Sequence, residues 1–111
     1  VLAFDRKTGK QLWETDAPKA VFESKYAKNS YASSTPSTDG KLIYCYLGNH
    51  GLMAVNFDGK IAWHRSLGEL NAYHGVGGSP LLYRDMVIFY QDQRKPAEGF
   101  VAAFDAKTGE P

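Results

Sequence analysis

Residues 1–13 read VLAFDRKTGKQLW, and residues 101–111 read VAAFDAKTGEP. Aligned over eleven positions, the two stretches share seven residues: Val1, Ala3, Phe4, Asp5, Lys7, Thr8 and Gly9 recur as Val101, Ala103, Phe104, Asp105, Lys107, Thr108 and Gly109. Midway between them, residues 52–63 read LMAVNFDGKIAW, with Gly59, Lys60 and Trp63 fifty positions after Gly9, Lys10 and Trp13. Self-similarity at a fixed period of roughly 40–50 residues is the signature of a propeller or array.

Within the phrase, a short apolar run ends at Asp5, four polar residues close on Gly9, and a second run leads to Trp13. A loop of three to five residues with a glycine free to take positive φ is a hairpin connection. The Asp carboxylate accepts hydrogen bonds from amides just ahead of it, and the Thr hydroxyl does the same more weakly.

Between the phrases the chain repeats a second pattern. Residues 15–29 are polar and mixed, read as a connecting loop with room for one short helical turn. The small and hydroxyl residues of SYASSTP, up to Pro36, suit a strand where backbones approach closely, and Asp39-Gly40 is a turn signal. Residues 41–47 alternate Leu42, Tyr44 and Tyr46 against Ile43, Cys45 and Leu47, so both faces of that strand are apolar and covered. Gly48-Asn49-His50-Gly51 is a further turn. The next unit restates the order, with Gly77-Gly78-Ser79-Pro80 echoing Ser33-Ser34-Thr35-Pro36 and Arg84-Asp85 replacing the Asp39-Gly40 turn. A longer polar connection at 92–98 is its main departure.

Four antiparallel strands per unit at this period give an all-β fold: a β-propeller fragment of four-stranded antiparallel blades, about two blades plus a terminal hairpin. The division is a closing hairpin at 1–14, a blade with its connecting loop at 15–66, and a following blade at 67–111 that stops short of its Trp. A helical solenoid is excluded because no window holds a 3.6-residue period. The chain reads as an excerpt of a longer array, and two uncovered blade faces predict that the free piece self-associates.

Residues 3–13 fit the pattern AxDxxTGxxxW in full, residues 103–109 fit it as far as they run, and residues 54–63 are a degenerate copy one position short. This pattern resembles the repeats of pyrroloquinoline-quinone (PQQ)-like propellers, the fold of quinoprotein alcohol dehydrogenases. The resemblance implies a tryptophan-docking motif in which the indole packs between neighbouring blades over the small Ala and the turn Gly. The residues carrying it are Ala3, Asp5, Thr8, Gly9, Trp13, Ala54, Gly59, Trp63, Ala103, Asp105, Thr108 and Gly109. A buried indole removes on the order of 200 Å² from water, and only small residues leave room for it between sheets.

Relatives of this kind divide in use. Some resemble dehydrogenases holding PQQ and calcium on the ring axis; others resemble the lipoprotein of the outer-membrane barrel-assembly machinery or the extracytoplasmic propellers of bacterial kinases, which bind partners without a quinone. The dehydrogenase chemistry implies a vicinal Cys-Cys disulfide, but the chain has one cysteine, Cys45, between Tyr44 and Tyr46. Asp5 and Asp105 are accounted for by their turns, leaving no evident base. The expected function is therefore a non-catalytic scaffold for a protein or small-ligand partner, periplasmic or extracytoplasmic by resemblance, with no resident cofactor. The alternative is a segment of a PQQ- and calcium-dependent dehydrogenase.

Other classes are less well supplied. Thirteen basic and twelve acidic residues are scattered, without the basic stripe of a nucleic-acid surface. No apolar run has the length of a membrane span. His50, His64 and His74 lack metal-ligand spacing, although His50 and His74, each beside a blade turn, are a candidate surface site. Cys45 reads as an inert buried thiol. Gly75-Val76-Gly77-Gly78 lacks the GK[ST] ending of a phosphate loop and reads as a place of close strand approach. Asp92-Gln93-Arg94-Lys95 reads as a solvated surface loop, with a partner contact as the alternative.

Overall fold

Each copy of the phrase folds as a hairpin because its turn satisfies its own backbone. In the computed structural model, which describes residues 1–95 and 98–111, nine strands form three antiparallel sheets. The first pairs β1 (Leu2–Phe4) with β2 (Gln11–Glu14). The second runs in sequence order through β3 (Ser37–Thr38), β4 (Leu42–Tyr46), β5 (Leu52–Asn56) and β6 (Ile61–Arg65). The third comprises β7 (Leu81–Tyr83), β8 (Met86–Gln91) and β9 (Phe100–Asp105). The four-stranded middle sheet is the propeller blade that the repeat predicts.

The middle sheet is buried on both faces, which explains its unbroken apolar strands. Tyr44, Tyr46, Leu52 and Ala54 face the third sheet and join Trp63, Val87, Phe89 and Phe104 in the larger core. Cys45, Met53 and Val55 point the other way, toward Val1 and Trp13 of the first hairpin. Alternation along β4 and β5 thus places one set of side chains in each of two inter-sheet layers.

Two local expectations are corrected. The small-residue stretch before Pro36 forms no strand; pairing starts beyond the proline and covers only Ser37 and Thr38. Pro36 has no amide hydrogen to give to a ladder. Its counterpart before Pro80 behaves alike, with β7 starting at Leu81. Residues 15–29 contain no helix, only a turn closed by the Asn29 amide donating to the Tyr26 carbonyl, and a short 3₁₀ helix stands instead at Gly48–His50. Arg84 takes the glycine-like conformation of the Asp39-Gly40 turn without being glycine, at φ 55°. The connection expected at 92–98 includes Pro96 and Ala97, which lie outside the described residues.

Candidate functional site: the junctions between repeats

The three phrase turns share one hydrogen-bond plan. Asp5 Oδ1 accepts from the amides of Lys7 and Thr8 and from the Thr8 hydroxyl. Asp105 Oδ1 accepts the equivalent three from Lys107 and Thr108. In the middle copy Asn56 fills the role, its Oδ1 accepting from the amides of Asp58 and Lys60. Across the turn the same residue's carbonyl accepts from the glycine amide, at 2.8 Å for Gly9, 3.0 Å for Gly59 and 2.8 Å for Gly109. The Thr8 hydroxyl and nearby amides hold the Asp5 carboxyl below its ordinary pKa; for Asp105 the Thr108 amide leads, followed by its hydroxyl.

Each indole lies against the turn of the following repeat. A Cβ added to Gly59 would come within 2.9 Å of the Trp13 ring, and one added to Gly109 within 2.6 Å of the Trp63 ring. Trp13 Nε1 donates to the Phe57 carbonyl at 2.8 Å, and Trp63 Nε1 to the Ala106 carbonyl at 2.9 Å. Phe57 and Ala106 occupy the same place, one residue after Asn56 and Asp105. The small Ala stands across the hairpin from its own Trp, Ala3 opposite Trp13 and Ala54 opposite Trp63. Glycine and alanine therefore come from different repeats. Gly9, also at positive φ (69°), has nothing within 4 Å of the added Cβ.

Two further residues join each junction. Two positions after Trp13, the Thr15 hydroxyl donates to the Gly59 carbonyl; two positions after Trp63, Arg65 Nε donates to the Gly109 carbonyl at 2.7 Å. Arg65 Nη2 also reaches the carboxylate of Glu110. Residue identity hides this pair, because a hydroxyl and a guanidinium serve the same acceptor. Only their shared offset from Trp marks them.

A second set ties the connecting loops to the middle blade. Asn49 Nδ2 donates to the Val21 carbonyl at 2.9 Å, and its Oδ1 accepts the Leu70 amide at 2.6 Å, bridging both long connections. The buried Glu23 carboxylate accepts the Asn49 amide at 3.1 Å and fills the space where a Gly48 side chain would stand. Neither residue carries a motif.

The remaining candidates separate. His50 packs against Phe22, with ring centroids 4.7 Å apart, beside a cavity shared with Tyr31. His74 packs edge-on against Tyr73 and lines another cavity, so the structure does not gather the two histidines. His64 Nε2 lies 2.7 Å from the His50 carbonyl, an acceptor that fixes this nitrogen as the protonated one. Cys45 is buried, and burial pushes its thiol pKa up. Among the described residues no three His, Cys, Asp or Glu side chains are placed to hold a metal ion, and no helix is long and apolar enough to cross a membrane. Close approach is confirmed at Gly78, where a Cβ would meet the Tyr90 carbonyl at 2.8 Å.

Compared with known proteins, the chain matches over residues 1–111 a PQQ-repeat family model described as outer membrane protein assembly factor BamB. No curated protein matches it.

Proposed function

The chain belongs to the PQQ-repeat family of the outer membrane protein assembly factor BamB, and we propose that it serves as a non-catalytic propeller segment. Its inter-blade loops present binding surfaces to a protein or small-ligand partner, outside the cytoplasm as the family's outer-membrane connection indicates. One observation carries this reading: the polar atoms of the repeated phrase are spent on architecture. Asp5 and Asp105 each accept three hydrogen bonds from their own turns through Oδ1, and both indole N–H groups are bound to backbone carbonyls of the next repeat. A general base must reach a substrate proton, and a carboxylate fixed by three donors at a turn is poorly suited to that task.

A PQQ and calcium site finds little here to hold it. The one thiol is buried between two sheets, where it cannot form a disulfide within this chain. The test is titration of the full chain with PQQ and calcium, read by quinone absorbance and calorimetry. The scaffold reading expects no saturable binding at high micromolar cofactor. Saturation near one cofactor per chain overturns it in favour of a dehydrogenase segment.

A further inference from the structure

A cavity of about 390 Å³ opens beside the third sheet, within the range of roughly 300–1,000 Å³ typical of small-molecule sites. Tyr73 contributes exposed aromatic surface, and Gln91, Asp92 and Arg94 line it with polar groups; the Tyr90 ring, next to Gln91 on β8 and paired with Val101, points to the other face of the sheet. Gln91 is 2% exposed, and its Oε1 accepts the Tyr46 hydroxyl at 3.0 Å while its Nε2 has no partner among the described residues. The 92–94 stretch is held in place: Gln93 bonds the Glu69 carbonyl and the Asn71 amide, and the Arg94 amide bonds the Asn71 carbonyl. Tyr73, 64% exposed, leaves ring surface uncovered.

We propose that this cavity binds a neutral hexopyranose unit, alone or in a short oligosaccharide, stacked on Tyr73 and hydrogen-bonded to Gln91. The proposal rests on the scaffold reading for its premise that the loops bind rather than catalyse. Three features select this chemistry. The apolar C–H face of a sugar ring, slightly positive, complements the negative face of an aromatic ring. Sugar hydroxyls both donate and accept, matching a site that offers the Gln91 and Arg94 donors together with the Asp92 acceptor. A wholly apolar ligand would leave the Gln91 amide buried and unpaired, and an anionic one would face the Asp92 carboxylate.

Gly77 supplies the control. It lines the cavity, an added Cβ there meets nothing within 4 Å, and its φ is not positive. Gly77→Val therefore fills the cavity without backbone strain, and Tyr73→Ala removes an exposed stacking ring. The experiment titrates the ¹⁵N-labelled full chain with cellobiose, and separately with benzoate, following the Gln91 side-chain amide. The expected result is a saturable cellobiose shift with Kd below about 10 mM, weakened at least about fivefold in Tyr73→Ala and at least about tenfold in Gly77→Val. No saturable shift up to about 50 mM, stronger response to benzoate, or unchanged binding in both variants overturns the proposal and leaves a resident water as the partner of Gln91. Any of these leaves the PQQ titration unaffected, so the two readings fail separately.

Discussion

Gly9 and Gly109 occupy the same place in the same turn, with φ of 69° and 71°, but only Gly109 lies beneath an indole. Alanine at either position must adopt a left-handed conformation, costing about 1–2 kcal/mol. At Gly109 the new methyl would also stand 2.6 Å from Cδ2 and 2.7 Å from Cε3 of Trp63, ring atoms held by the Nε1 bond to Ala106. Overpacking of that kind costs about 1–3 kcal/mol more. Gly9→Ala should therefore destabilise by about 1–2 kcal/mol and Gly109→Ala by about 2–5 kcal/mol. At about 4 °C per kcal/mol, the two melting temperatures should differ by about 4–12 °C. Thermal melts of dilute samples, followed by near-ultraviolet circular dichroism, measure the gap. Gly59→Ala, 2.9 Å from Trp13, should fall between them. Equal losses at Gly9 and Gly109 would refute the reasoning, because they would leave backbone strain as the whole effect.

Three other outcomes follow from the same contacts. Trp63→Ala should cost about 3–5 kcal/mol in urea unfolding, and Trp63→Phe less, with the Ala106 carbonyl left unpaired; no loss in either contradicts the junction. Asp5, Asp39 and Asp105 all have folded pKa values below their ordinary ones: Asp5 through the Thr8 hydroxyl, Asp39 through the Leu42 amide and Asp105 through the Thr108 amide. Their contribution is present above the unfolded value near pH 4 and is lost as pH falls through the lowered folded values, so stability should decline below about pH 4, and a flat profile from pH 5 to pH 2 would contradict it. Apolar side chains remain exposed on both outer sheets, Leu2, Phe4 and Leu12 on one and Leu81, Tyr83 and Val101 on the other. The chain should accordingly self-associate with rising concentration in sedimentation velocity; a monomer throughout the micromolar range counts against this.

The architecture was legible where residue type and backbone geometry coincide. Asp5 and Asp105 recur because each turn needs an acceptor where its strand ends, and Gly9, Gly59 and Gly109 because each turn needs positive φ. Asn56 was quoted within the degenerate copy, but its place as the turn acceptor emerges only from Oδ1 and its two donors. Thr15 and Arg65 were hidden because a backbone carbonyl accepts from any donor of suitable reach. Glu23 and Asn49 were hidden because their partners are distant loop backbone and glycine space, which leave no periodic trace. The expected strand before Pro36 failed because small residues permit close approach without supplying cross-strand contacts that hold a ladder. Arg84 at φ 55° adopts the left-handed turn geometry that Gly40 holds in the preceding repeat.

Trp13 and Trp63 are each seated on the turn glycine of the next repeat. The most direct measurement is the proton NMR shift of the Gly Hα resonances, with nuclear Overhauser contacts to the indoles. Gly59 and Gly109 should show ring-current shifts and contacts to Trp13 and Trp63 respectively, while Gly9 keeps ordinary shifts. Unshifted resonances at Gly59 and Gly109, or contacts from either indole to Gly9, would contradict the account.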